Sequence, residues 1–210
     1  MSVQSMFHVE LFNAKGKSEE LEIYFCNVVI PFFRERKFDV SLFITQYGLG
    51  PRHFWFVTGM EKIGFIDEWE NMTMKNVEDK EFMLNLSEKI IDSWASIIKD
   101  VEPDITWSGT PGRMFHIEWF NALGKSVGVK EFILNELLPY WRKRGFSAKL
   151  YITQDELGPK EFWLITQIEN FYSLDFWPKM AAGEPKGQKL LKKLLSMVSV
   201  PQASIVKELV

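Results

Sequence analysis

Two His-x-Glu pairs are the only residues in the sequence whose types and spacing suggest catalysis. His8 and Glu10 form the first pair, and His116 and Glu118 form the second. Residues two apart on a β-strand point to the same side, so an imidazole and a carboxylate with this spacing can meet each other or a common ligand. A histidine can act as a general base near neutral pH while a neighbouring glutamate orients its ring. We therefore predict these four residues as the catalytic groups.

The same pairs have two other interpretations. Each could be a hydrogen-bonded couple that holds buried surfaces together without doing chemistry. Two histidines and two glutamates that converge could also bind a metal ion or haem. The sequence has no serine–histidine–acid triad, paired-cysteine metal site, phosphate-binding loop or dinucleotide-binding motif,. We predict no bound metal and no other cofactor.

Composition and charge narrow the class of protein. The chain has 210 residues, of which 46% are apolar, with 18 Phe, 8 Trp and 5 Tyr, so it can bury a large aromatic core,. A net charge of −3 gives nucleic-acid binding no support,. The N-terminus has no signal-peptide pattern, and the longest apolar run of the first half, 28–33, is too short to span a membrane,. The lone cysteine, Cys26, fits a reducing compartment, and we expect a cytoplasmic protein that binds neither membrane nor nucleic acid,.

An internal repeat organises the chain. Residues 6–72 align with 114–180 at a constant offset of 108, with 29 identities in 67 positions. Chance would give only a handful, so the sequence indicates a duplicated domain. We predict one domain over 1–108, a linker at 109–113 and a second domain over 114–210.

Each copy has the same predicted order of elements, βαββαβ. This order gives a four-stranded antiparallel sheet with two helices on one face, a ferredoxin-like α+β sandwich. The other face is bare and aromatic, so we expect the two copies to pack sheet to sheet as an intramolecular pseudo-dimeric α/β barrel. The predicted strands are 7–12, 40–46, 53–60 and 105–107, then 115–120, 148–154, 161–168 and 203–206, and the predicted helices are 18–37, 78–99, 126–145 and 186–198.

Strand alternation predicts which side chains face the partner half. On the first strand Phe7, Val9 and Leu11 form an all-apolar set that should meet the helices, which places His8 and Glu10 on the open side. The open sides would enclose a pocket for a small apolar or aromatic molecule. The residues predicted to line this pocket are Phe12, Phe43, Thr45, Trp55, Phe120, Tyr151, Thr153 and Trp163.

Several segments resemble one structural superfamily. They are the Gly-Lys after the first strand, the helix with Val29-Ile30-Pro31 or Leu137-Leu138-Pro139, Gly145-Phe146, and the Tyr151-Ile152-Thr153 strand. The pattern is similar to the dimeric α/β-barrel superfamily, and within it to NIPSNAP-like and antibiotic-biosynthesis-monooxygenase-like domains. The resemblance implies the fold. It leaves the activity open, because the superfamily includes cofactor-free monooxygenases, haem-degrading enzymes, chlorite-dismutase-type haem proteins, isomerases and proteins without known activity.

Two functional hypotheses follow, and the sequence does not decide whether the protein is an enzyme. The first is a monooxygenase-like or isomerase-like protein that binds a small apolar or aromatic molecule between one sheet and the partner half. The second is a non-enzymatic structural or interaction protein. In both, the two halves pair with each other, and a further homo-oligomer would need a different surface.

Overall fold

The computed structural model describes residues 6–47, 53–74, 76–102, 113–154, 160–173, 175 and 183–210. The fold is α+β, and the eight strands found in these residues form one closed antiparallel barrel with helices packed outside. The strands are β1 (Met6–Ala14), β2 (Val40–Tyr47), β3 (His53–Met60), β4 (Ile90–Asp100), β5 (Met114–Phe120), β6 (Ser147–Thr153), β7 (Phe162–Ile168) and β8 (Gln202–Glu208).

The helices include two continuous runs that each contain a π-helical turn. In the first run the turn Phe25–Val29 precedes Pro31, and in the second the turn Ile133–Leu137 precedes Pro139. A proline ring clashes with the carbonyl four residues earlier, and a wider turn accommodates it. No helix in the described residues is long and apolar enough to cross a bilayer. The α-helical segments are α1 (Ser18–Tyr24), α2 (Ile30–Glu35), α3 (Phe65–Met74), α4 (Val77–Ser87), α5 (Ser126–Phe132), α6 (Leu138–Arg142) and α7 (Pro185–Met197).

The strand order around the barrel is β1-β3-β2-β8-β5-β7-β6-β4, and β4 closes onto β1. The two halves of the chain meet along two seams, where β2 pairs with β8 and β4 pairs with β6. The predicted α/β barrel is confirmed, but its two halves also join edge to edge, which the prediction of sheet-to-sheet packing did not include. Each sheet would leave two edges with unpaired backbone groups, and joining edge to edge satisfies them in a single barrel.

The predicted helix over 78–99 is wrong in its second part. The helix α4 ends at Ser87, and Ile90–Asp100 is the strand β4. Alternation is the reason, because Trp94 and Ile98 lie opposite Leu11 and Phe7 across the β1–β4 ladder and share their side of the sheet,. The predicted strand at 105–107 lies outside the described residues. In the second half, the helix near 186–198 and the strand near 203–206 are confirmed as α7 and β8.

Candidate functional site

Six of the predicted pocket residues face the barrel interior as expected. Two of the contacts between them satisfy buried polar groups: the Trp55 indole N–H donates to the Thr45 hydroxyl at 3.0 Å, and the Trp163 indole N–H donates to the Thr153 hydroxyl at 3.1 Å. Both threonines therefore serve the packing of a tryptophan. The six residues are Phe43, Thr45, Trp55, Tyr151, Thr153 and Trp163.

The interior is filled by these side chains. The rings of Trp55, Trp119 and Trp163 lie 5.5–6.5 Å apart, and Trp94 lies 5.9 Å from Trp163. Among the described residues, the cavity between these side chains has a volume of about 20 Å³, the space of about one water molecule,. A cavity of this size holds no organic molecule without rearrangement of its lining, and the ligand pocket between the two sheets stays a prediction.

The predicted facing of the first strand in each half is also wrong. Phe7, Val9 and Leu11 point into the barrel, and their neighbours point toward the helices. In a closed barrel the interior is the surface farthest from water, so the all-apolar side of the strand lies there. Phe12 stacks on Phe25 of the first helical run at 4.8 Å. The predicted site residues on this outer side are His8, Glu10, Phe12, His116, Glu118 and Phe120.

A second and larger cavity lies under the helices of the first half. Its volume is about 320 Å³, within the range of small-molecule sites,. Three polar side chains, those of Glu10, Ser87 and Ser93, line it. The remaining wall is aromatic and aliphatic, with Phe12, Phe25, Val29, Phe33, Phe56, Trp69, Met83, Leu86, Ile90, Trp94 and Ala95. We refer to this space as the Glu10 cavity.

Burial reverses the proton chemistry expected of the His8–Glu10 pair. The His8 Nε2 atom lies 3.9 Å from Glu10 Oε1, and the Trp69 ring packs edge-on against the imidazole at 5.7 Å. Burial lowers the pKa of His8 to about 4 and raises the pKa of Glu10 to about 7,. At pH 7 the His8 imidazole is therefore uncharged, and the Glu10 carboxyl group is about half ionised. Glu10, which lines the cavity, is therefore the residue suited to be a general base, and His8 is its uncharged neighbour.

The second half contains the equivalent pair, His116 and Glu118, with different residues around it. Burial lowers the pKa of His116 to about 4 and raises the pKa of Glu118 to about 7. Glu118 lies opposite Leu164 on β7, where Glu10 lies opposite Phe56 on β3. At the repeat offset, the serines of the first cavity correspond to Leu195 and Pro201, and Trp69 corresponds to Trp177, which lies outside the described residues.

The sequence did not predict the part of the Glu10 cavity that α4 and β4 line. Met83 and Leu86 come from α4, and Ser93 and Ala95 come from β4. A single predicted helix over this stretch hid the turn between the two elements. The alternation of Trp94, Ser96 and Ile98, together with the repeat, was the signal that could have identified the strand,.

The cavity lining does not fit haem. Haem iron is held by an imidazole, a thiolate, a phenolate or a histidine–methionine pair. None of the described residues that line the Glu10 cavity carries an imidazole, thiol or phenol, and Met83 supplies the one thioether of the lining. The His8 imidazole lies behind Glu10 and is not part of the lining. Within the described residues, no group of three or more His, Cys, Asp or Glu side chains could hold a metal ion.

No family model and no curated protein matches the chain. Solved structures do. An anthrone oxidase-like protein superposes with a TM-score of 0.67 at 8% identity, covering 100% of this chain and 93% of its own. A candidate monooxygenase from Fusobacterium nucleatum gives 0.61 at 14% identity, with 100% and 94% covered. A heme-binding protein from Thermus thermophilus gives 0.55 at 9% identity, with 98% and 92% covered. At these identities the likeness shows the fold, the dimeric α/β barrel, and the NIPSNAP-like assignment stays a prediction.

Proposed function

We propose that the Glu10 cavity binds a small apolar or aromatic molecule and that the Glu10 carboxylate accepts a proton from it in a monooxygenase-like reaction. One observation carries the proposal. A carboxyl group with a pKa of about 7 lines a cavity of about 320 Å³ whose walls are mainly aromatic. The structural neighbours include an anthrone oxidase-like protein and a candidate monooxygenase, which supports the proposal.

The geometry suits proton abstraction from a flat, weakly acidic molecule. Phe12, Phe33 and Phe56 offer ring faces and edges for stacking,. An acidic O–H or C–H of the bound molecule would point to Glu10. The neutral His8 ring leaves the carboxylate without a paired positive charge, so the carboxylate keeps its basicity,. Loss of the proton makes the aromatic system electron-rich, and molecular oxygen would be the oxidant of such an anion. At an anthrone-type CH2 group, one oxygen atom would replace the two hydrogens as a new carbonyl oxygen, and the other would leave with those hydrogens as water.

Binding of 2-naphthol tests the proposal without requiring the natural substrate. We expect Glu10→Gln to raise the dissociation constant for 2-naphthol about tenfold, because a hydrogen bond to a charged acceptor is lost. Binding of 2-methoxynaphthalene, which has no O–H, should be unchanged by the same substitution. Isothermal titration at a pH above 7 measures both.

Activity provides the second readout. We expect anthrone-dependent oxygen uptake to fall about a hundredfold or more in Glu10→Gln, as the loss of a general base does. Glu118→Gln is the matched substitution in the second half, and its effect should be smaller, since the serines of the Glu10 cavity are replaced there. If neither naphthalene binds, or if Glu10→Gln behaves as the wild type does, the proposed role of Glu10 and its cavity is wrong.

We also propose that the chain consists of two tandem ferredoxin-like domains, 1–108 and 114–210, joined at 109–113. The repeat at an offset of 108 supports this division. So does the strand order, because β4-β1-β3-β2 and β8-β5-β7-β6 run in the same sequence around the barrel. Separate expression of the two segments, followed by mixing, would test whether the closed barrel re-forms from the two pieces.

A further inference from the structure

The helices outside the barrel carry opposite charge in the two halves. In the first half, the described helical segments from α1 to α4 contain ten acidic and two basic residues. In the second half, the segments from α5 to α7 contain two acidic and six basic residues. A net charge of −3 for the whole chain conceals this separation. The molecule presents one acidic helical surface and one basic helical surface.

On the acidic side, α4 has an outer face that nothing in the described residues covers. Asp79 points inward and accepts a hydrogen bond from Arg36 at 2.7 Å, and Leu86 packs into the core. The opposite side of the helix exposes 71% of Val77 and 64% of Leu84 to solvent. Glu78 and Glu81 are exposed beside them. The α4 face is therefore acidic and partly apolar.

On the basic side, α7 occupies the equivalent position in the second half. Leu190 and Leu194 pack inward, and Lys189 and Lys192 are exposed. Leu195, half exposed, lies next to this row. At the repeat offset, Lys189 stands where the first half has Glu81, and Lys186 stands where it has Glu78. The two faces have the same place in each half and opposite charge.

We propose that the α4 face of one molecule binds the α7 face of a second copy of this chain. Opposite potentials attract two such surfaces and orient them as they meet. Val77 and Leu84 would then pack on Leu195 and on the methylene stems of the lysines, which bury readily along apolar surface. A polyanionic partner would cover the α7 face and be repelled by the α4 face. A second copy complements both faces, so charge complementarity favours it.

Charge exchange between the faces tests the pairing. The first variant is Lys189→Glu with Lys192→Glu, the second is Glu78→Lys with Glu81→Lys, and the third combines all four substitutions. Sedimentation velocity at about 0.01 M salt, where the screening length is about 30 Å, should show the wild-type mass rising with protein concentration. Each two-site variant should raise the dissociation constant at least about tenfold, and the four-site variant should restore association, because both faces have changed sign.

Controls separate face pairing from net charge and from misfolding. Lys15→Glu with Lys99→Glu changes the net charge as the α7 variant does, at exposed positions away from α7, and should leave association at the wild-type level. Circular dichroism melting curves identify any variant that fails to fold, and the salt dependence of the wild type then provides the test on an unaltered chain. A wild type that stays monomeric at every concentration at low salt overturns the proposal. So does a four-site variant that does not recover association.

Discussion

The inner and outer surfaces of the barrel wall are both aromatic, but they differ in the space that they leave. Inside, Trp55, Trp119 and Trp163 pack on one another and leave about 20 Å³. Outside, in the first half, Phe12 and Phe25 stack under the helices, yet about 320 Å³ stays open beside Glu10. A closed hydrogen-bonded wall fixes the distances across the interior, so side chains of the right volume can fill it. The outer layer has no such constraint.

The open space beside Glu10 is explained by how closely the helix that covers it, α4, packs against the sheet. In the first half, α4 buries one apolar residue, Leu86, at 9% exposure. In the second half, α7 buries Leu190 and Leu194 more deeply. A helix that contributes few buried apolar side chains stands off the sheet and leaves room between them. The barrel interior is therefore the tightly packed part of the molecule, and the outer layer of the first half is the part that leaves open space.

Removal of a central interior side chain should have the largest effect. We expect Trp163→Ala to lower the free energy of unfolding by about 3–5 kcal/mol, because it leaves a large cavity in a filled core. Met83→Ala in the wall of the Glu10 cavity should lower it by about 1 kcal/mol, since its neighbours already border open space. Urea unfolding measures both. Equal losses for the two variants would show that the interior and the outer layer do not differ in packing.

Adjacent residues on β4 allow a sharper test, because they point to opposite sides of the wall. Ser96 faces the filled interior, and Ala95 lines the Glu10 cavity. We expect Ser96→Leu to destabilise the fold by about 1–3 kcal/mol through overpacking. Ala95→Leu should change stability by less than about 1 kcal/mol and should weaken 2-naphthol binding about tenfold or more by occupying part of the cavity opposite Glu10,. Ser96→Ala is the control for loss of the hydroxyl. Retained binding in Ala95→Leu would place the ligand elsewhere.

The sequence predicted most of the elements and several of the contacts between them. The repeat identified the equivalent strands, and the alternation on β2, β3, β6 and β7 placed Phe43, Trp55, Tyr151 and Trp163 on the inner side, as the structure has them. The pairing of His8 with Glu10 on one side of β1 was also correct.

The location of the site could not be predicted in the same way. One side of β1 is buried in the barrel and the side with His8 and Glu10 is half-buried under the helices, so polarity alone did not show which side faced the helices. An open sheet would place its apolar side under the helices, but a closed barrel takes that side into its interior. Closure depends on the pairing of β2 with β8 and of β4 with β6, which are contacts far apart in sequence. The cavity depends on how closely α4 approaches the sheet, which no residue pattern encodes.

The smallest expected effect is on the pH dependence of the free energy of unfolding, to which Glu10 and His8 contribute with opposite signs. Glu10 has a raised pKa in the folded protein, so its contribution to stability is present below about pH 4.5 and is lost as the pH rises toward about 7,. His8 has a lowered pKa, so its contribution is present above about pH 6.5 and is lost as the pH falls toward about 4,. The two slopes oppose each other between about pH 4.5 and 6.5.

Single substitutions should reveal the contribution of each group to the change of stability with pH. In Glu10→Gln, stability relative to the wild type should increase as the pH rises from about 4.5 to 7, by on the order of 1 kcal/mol after allowance for solvent screening of a group one-third exposed,. In His8→Gln, stability relative to the wild type should increase as the pH falls from about 6.5 to 4. Urea midpoints across this range measure both, and the wild type provides the background from His116 and Glu118. If the stabilities of both variants relative to the wild type are independent of pH, burial does not shift the pKa values of Glu10 and His8. The assignment of Glu10 as the general base then loses its physical basis.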